Sequence, residues 1–257
     1  MAEIRVAAEG PVAEVVLDRP ARKNAMSLAM WHEVSQAFDR LGEDGQVRGI
    51  VLRGEGEAFC VGADISEFGA VRDTAAQVHA YDAAVDRASD AIAAAPAPVI
   101  AAIEGYCVGG GCGLAMACDF RIAAPGATFF IPAAKLGIVY GMRETQNLLA
   151  LVGLTRAKRI LYGGERFGAE EALRIGFIDE VADAPLAAAR DFAQSMAGNA
   201  PLAIAGAKAI LTGLAMGMGA LEEDRALALV EAASQSLDHK EARAAFAEKR
   251  APVFMGR

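Results

Sequence analysis

The sequence predicts an α/β fold with a helical C-terminal module, and three observations carry that prediction. Short apolar runs alternate with glycine-rich turns through the first half of the chain. From Glu144 onward the pattern becomes mostly helical. No low-complexity linker divides the 257 residues and no internal repeat is visible, so one sizeable core is expected. The expected organisation is an α/β core over residues 1–197 followed by a helical module over residues 198–257.

The elements follow in order. Ala13-Glu14-Val15-Val16-Leu17 reads as a strand that ends at Asp18-Arg19-Pro20. Ser27 suits the N-cap of a helix through Leu41, where Trp31, Val34, Phe38 and Leu41 are spaced for one apolar face. Gly49 to Leu52 and Pro98 to Ile103 are short apolar runs fitting buried strands. Phe120 to Ala124 is a further strand closed by the Pro125-Gly126 turn. Helices are expected near 144–151, 155–162 and 169–175, and from about 184. Pro201 suits a first helical turn. The last helices are expected over 220–236 and 239–249.

Composition narrows the function classes. The formal charge is −8, with no basic footprint of the kind that nucleic-acid binding needs. Residues 1–10 hold Glu3, Arg5 and Glu9 with no apolar run, which does not read as a signal peptide. The most apolar stretch, Pro98 to Ala124, is broken by Glu104, Asp119, Arg121 and several glycines, so no membrane span is expected. A soluble cytoplasmic protein is the expectation. Cys60, Cys107, Cys112 and Cys118 form no C-x-x-C pair and have no histidine close by, which predicts reduced, buried thiols. His32, His79 and His239 are scattered without an H-E-x-x-H motif. No metal site is expected.

Two segments share a design that points to chemistry. Phe59-Cys60-Val61-Gly62-Ala63-Asp64-Ile65 follows a strand and a Glu/Gly-rich loop. Gly105-Tyr106-Cys107-Val108-Gly109-Gly110-Gly111-Cys112-Gly113-Leu114 lies between a strand and a helix. Glycines let a ligand approach main-chain N–H groups, and a helix start adds its unpaired N–H groups and positive dipole end. Two such N–H groups converging would form an oxyanion hole for a polarised carbonyl. Tight packing alone is the plainer explanation of either turn. Dinucleotide binding fails, because Leu114 stands where a third glycine belongs, and there is neither a Walker lysine nor a G-x-S-x-G elbow.

In ordered blocks the sequence resembles the crotonase (enoyl-CoA hydratase/isomerase) superfamily. The blocks are Phe59-Cys60-x-Gly62-Ala63-Asp64-Ile65, Pro98 to Tyr106, and Gly109-Gly110-Gly111-Cys112-x-Leu114-Ala115-Met116-x-Cys118-Asp119. Leu136-Gly137-Ile138, Glu170 to Ile178 and Phe246-x-Glu248-Lys249-Arg250-x-Pro252-x-Phe254 follow. The resemblance implies a spiral of ββα units, a C-terminal helical trimerisation module and a homotrimer or dimer of trimers. It also implies an acyl-CoA substrate, with coenzyme A entering only as part of that substrate and no separate cofactor. The family's oxyanion-hole amides fall on Ala63 and Gly110, flanked by Gly62, Asp64, Ile65 and Gly109 as substrate-binding candidates. Lys23 and Arg22 are candidate phosphate contacts by charge alone, with a solvated basic pair as the alternative.

The family's hydratases use two glutamates, one as base and one as acid. The resemblance places them at Gly113 and Ala133, which carry no proton-transferring group. Three residues are candidates to replace them. Tyr140 resembles the tyrosine of malonyl-type CoA decarboxylases in the superfamily, or it packs at a pocket edge. Arg143 offers a bidentate grip on a carboxylate, or pairs with Glu144. Glu144 offers a relocated acid or base, or caps the helix that follows it. Three functions stay open: an acyl-CoA enzyme with a non-hydratase residue set, a malonyl-type acyl-CoA decarboxylase, and a catalytically silent acyl-CoA-binding subunit.

Overall fold

The computed structural model describes residues 3–216, 232 and 236–257. Strands β1 (Ile4–Glu9) and β2 (Val12–Leu17) form an antiparallel hairpin at one edge of a six-stranded sheet. Into that sheet run β3 (Gly49–Gly54), β5 (Val99–Ile103), β7 (Phe120–Ala123) and β10 (Glu180–Val181), giving the order β1-β2-β3-β5-β7-β10. A second sheet has the order β4 (Ala58–Cys60), β6 (Tyr106–Val108), β8 (Thr128–Phe130) and β9 (Phe167–Gly168). Consecutive strands therefore split between the sheets: β3 with β4, β5 with β6, β7 with β8. Helices follow each pair: α2 (Phe68–Val71) and α3 (Ala75–Ala94), then α4 (Gly110–Ala117), then α5 (Met142–Gly163). This is the strand–strand–helix spiral that the resemblance implies.

The chemistry of each segment explains its place. All five residues of β5 are buried, as in a parallel strand covered on both faces. One face of the large sheet packs on α1 (Leu28–Glu43), α3 and α4. Ser27 caps α1 by accepting from the Met30 N–H at 3.2 Å, and Trp31, Val34, Phe38 and Leu41 are buried, as the spacing predicts. The other face takes α7 (Pro185–Ala197), with Ala189 and Ala193 against Val51 and Ile100.

The expected break between 151 and 155 appears at Gly153, whose non-helical backbone (φ 74°, ψ 166°) divides α5. The chain continues through α6 (Ala169–Arg174), α8 (Pro201–Met216) and α9 (Leu237–Glu248). The helix expected over 220–236 lies almost wholly outside the described residues. Lys208 on α8 ties that helix to the core, its Nζ 2.7 Å from Asp119 Oδ2 and 3.2 Å from the Ala97 carbonyl. All four cysteines are free and buried. Among the described residues, no helix is long and apolar enough to cross a membrane, and no group of three or more His, Cys, Asp or Glu residues is placed to hold a metal.

Candidate functional site

The two glycine-rich turns meet. Gly62 has φ +88°, and a Cβ there would lie 2.8 Å from the Val108 carbonyl oxygen and 3.1 Å from the Gly110 nitrogen. Any side chain at 62 would push the turns apart. The Met26 N–H donates to the Gly62 carbonyl and the Asp64 N–H donates to the Met26 carbonyl, both at 2.8 Å. These bonds bracket Ala63 without using its own N–H. The Ala63 nitrogen stands 3.7 Å from the place a Cβ on Gly110 would take. Gly110 opens α4, where a helix has no internal acceptor for its first N–H groups. Ala63 and Gly110 are half-exposed, whereas Gly62, Asp64 and Gly111 are buried.

The start of α5 closes on the same place. A Cβ on the buried Gly113 would fall 2.5 Å from Glu144 Oε1, so the carboxyl occupies the space beside that glycine. Gly113 is three residues beyond Gly110, roughly one helical turn. Glu144 is 6 % exposed, and its other oxygen accepts from the Gly141 N–H at 3.2 Å. The capping expectation for Glu144 therefore holds, together with inward burial. Burial pushes its pKa up to about 7; the Gly141 N–H opposes this, and the charges of Asp86 and Asp82 add to it. The Tyr140 hydroxyl donates to the Gly109 carbonyl at 2.9 Å, and burial, with Glu144 close by, holds its pKa well above the ordinary phenol value. Arg143 turns the other way, its Nε 2.8 Å from Asp90 Oδ1 on α3.

Residues 7–257 match the family model described as "Enoyl-CoA hydratase/isomerase". The chain belongs to the enoyl-CoA hydratase/isomerase family. An enoyl-CoA isomerase/hydratase of Mycosarcoma maydis is 36 % identical over 262 residues, covering 96 % of this chain and 93 % of that one. A short-chain-enoyl-CoA hydratase of Clostridium acetobutylicum is 34 % identical, covering 94 % and 93 %. The crystal structure of an enoyl-CoA hydratase/isomerase family protein from Hyphomonas neptunium superposes with a TM-score of 0.94 at 38 % identity, over 100 % of this chain and 98 % of that one. The fold is thus the crotonase fold, and the chain is an acyl-CoA enzyme of this family.

In this family member a buried polar frame holds the Ala63 turn. Asn24 is wholly buried at φ 56°; its side-chain NH2 donates to the carbonyls of Ala58 (2.7 Å) and Glu55 (3.0 Å), and its Oδ1 accepts from the Arg19 N–H (2.9 Å). Asp64 accepts from the Ser66 hydroxyl (2.6 Å) and from Arg19 Nη1 (2.7 Å), bonds that hold its pKa below the ordinary value. Its carboxylate is engaged in holding the loop. Ile65 is 59 % exposed. Lys23, with left-handed backbone, is exposed and places its Nζ 5.0 Å from the centroid of the Tyr106 ring. Asn24 carries a sequence signal that the motifs did not use: a polar side chain directly after a basic pair and before a buried run.

Proposed function

We propose that this acyl-CoA enzyme binds the thioester carbonyl oxygen at the Ala63 and Gly110 N–H groups and moves protons on the acyl chain with Glu144. In this reading Gly113 and Ala133 stand where hydratases of the family carry their two glutamates, and Glu144 reaches into the space left at Gly113. The position of its carboxyl beside Gly113, one turn from Gly110, is the observation that supports the reading most. One carboxyl suffices to shift a double bond. The carboxylate takes a proton from the carbon next to the thioester carbonyl, and the electrons pass to the carbonyl oxygen as an enolate held by the two N–H groups. The carboxylic acid then returns the proton two carbons further along the chain. The positive end of α4 favours the enolate charge. A pKa near 7 leaves a substantial fraction of Glu144 able to accept the proton at neutral pH.

A 3-enoyl-CoA, a 2-enoyl-CoA and a malonyl-type CoA ester, each followed by mass spectrometry, separate the readings. Isomerisation of the 3-enoyl ester is expected, falling about 10²- to 10⁴-fold in Glu144→Gln with ester affinity retained. Full turnover by Glu144→Gln would remove Glu144 from the mechanism. The decarboxylase reading requires Tyr140 and Arg143 to leave Gly109 and Asp90; release of carbon dioxide that slows in Tyr140→Phe would favour it. Ester binding with no turnover of any kind would favour the silent subunit. The reading also takes residues 198–257 as the module that assembles a homotrimer or dimer of trimers, in keeping with the exposed Leu211 and Leu214 on α8. Light scattering at the mass of a single chain would remove that part of it.

A further inference from the structure

Aromatic side chains that the proton chemistry does not use pack beside the Gly110 turn. A Cβ on Gly110 would lie 3.1 Å from both Cη2 and Cζ2 of Trp31, and the Ala63 nitrogen is 3.7 Å from that same point. The indole edge therefore abuts the place where the two amides come together. Trp31 is 1 % exposed and Tyr81 2 %. The indole N–H donates to the Tyr81 hydroxyl at 2.9 Å, joining α1 to α3. Phe68 meets Tyr81 edge-on, with centroids 5.9 Å apart, and the Arg72 guanidinium lies 4.9 Å from the Tyr81 centroid. Arg72 is itself paired with Asp82 at 3.1 Å.

We infer that the hydrogen-bonded Trp31–Tyr81 pair is the end wall of the acyl site and restricts the enzyme to short acyl chains. The inference rests on the thioester site proposed above. Acyl carbons beyond the carbonyl must stay beside Glu144 to exchange protons with it, so the chain is confined between that carboxyl and the indole. Swinging the indole aside would leave its N–H without an acceptor in a buried place, so the wall does not yield by a simple rotamer change. A longer chain must displace packed aromatic rings instead of entering open space.

Calorimetric titration with butyryl-CoA and decanoyl-CoA tests this without turnover, because both esters are saturated. Wild-type enzyme is expected to bind butyryl-CoA at least about 10-fold more tightly than decanoyl-CoA, reversing the gain that extra buried methylenes normally bring. Trp31→Ala is expected to cut that ratio to below about 3-fold by tightening decanoyl-CoA. Where Trp31→Ala does not fold, Trp31→Phe and Tyr81→Phe are expected to move the ratio in the same direction. Equal wild-type affinity for the two esters overturns the wall, as does a ratio unchanged in every folded variant. Failure to bind any CoA ester overturns the thioester site and this inference together. Loss of turnover in Glu144→Gln with the ratio intact leaves the wall supported on its own.

Discussion

The Ala63 turn and the segment leading into α5 are held in different ways. The Ala63 turn is fixed from the backbone outward. Met26 bonds on both sides of Ala63, the buried Asn24 side chain bonds the carbonyls of Glu55, Ala58 and Phe59 and the Arg19 N–H, and Arg19 clamps Asp64. In the segment from Leu136 to Glu144, main-chain bonds tie Leu136, Gly137 and Ile138 to residues 132–134, whereas Tyr140 and Glu144 are held through their own side chains. Leu136, Val139 (93 % exposed) and Met142 face outward, while Tyr140 and Glu144 turn in. A carbonyl oxygen needs donors that do not reorganise when charge develops, which suits a frame of main-chain bonds. An acid or base needs a tuned pKa, which a buried carboxyl at the start of a helix can provide. In the proposed mechanism, polarisation therefore falls to the main-chain frame and proton transfer to a side chain at the start of α5.

The main-chain frame should break with the smallest change. Gly62→Ala places a methyl at φ +88°, 2.8 Å from the Val108 oxygen, and forces the Ala63 and Gly110 turns apart. Loss of one oxyanion donor typically lowers kcat about 10²- to 10³-fold, and a loss of that order is expected here. Steady-state kinetics on the folded variant check it. A kcat within about 3-fold of wild type would show that the amide pair tolerates misplacement, contrary to the frame described.

The same contrast explains what could be read from the sequence. The Gly62–Asp64 and Gly109–Gly111 turns were legible because backbone geometry demands particular residue types at particular spacings. Strands β2, β3, β5 and β7 and the break at Gly153 were legible from their apolar runs and glycine; β1 was not, because only Ile4 of its six residues is buried. Helix α3 was not, because its alanine-rich run, Ala75 to Ala94, shows no strong apolar stripe; its buried Ala84, Ala88 and Ala91 look like any surface alanine. Strands β4, β6 and β8 are three residues each, too short to show alternation. Glu144 was named as a candidate, but its place beside Gly113 depends on α5 crossing α4, a contact between residues about thirty positions apart in the chain. Trp31 read correctly as core; its contact with Gly110 likewise required the fold.

The Glu144 carboxyl should answer to pH. Buried Glu144 has a pKa near 7 against an ordinary 4.5, so the folded chain keeps a proton that the unfolded chain releases between those values. The protonated carboxyl is accommodated without penalty below about pH 4.5; stability then falls as pH rises through 7 and levels off above it. The full difference is about 3 kcal/mol as an order of magnitude. Glu144→Gln cannot ionise, so its stability relative to wild type should improve by that order between pH 5 and pH 8. Urea unfolding of both proteins at the two pH values isolates the effect, because every other group titrates alike in both. A difference between variant and wild type that stays constant with pH would mean that Glu144 ionises freely and is not buried as described.

The smallest effect is expected one residue earlier. Arg143 and Glu144 are neighbours on the first turn of α5, yet Arg143 lies against Asp90, with side chains 30 % and 45 % exposed. A pair so open to water contributes at most about 1 kcal/mol, and salt screens it further. Arg143→Gln should therefore unfold within about 1 kcal/mol of wild type and turn over a neutral enoyl-CoA within about 2-fold. Its effect on a dicarboxylic ester is the sharper measurement. If Arg143 leaves Asp90 to grip a substrate carboxylate, the substitution raises KM for that ester alone, since a bidentate charge-assisted contact is lost only there. An equal, small effect on both esters keeps Arg143 on the outer surface with Asp90. The two neighbours then divide cleanly: Arg143 holds α5 to α3 from outside, while Glu144 turns inward beside Gly113.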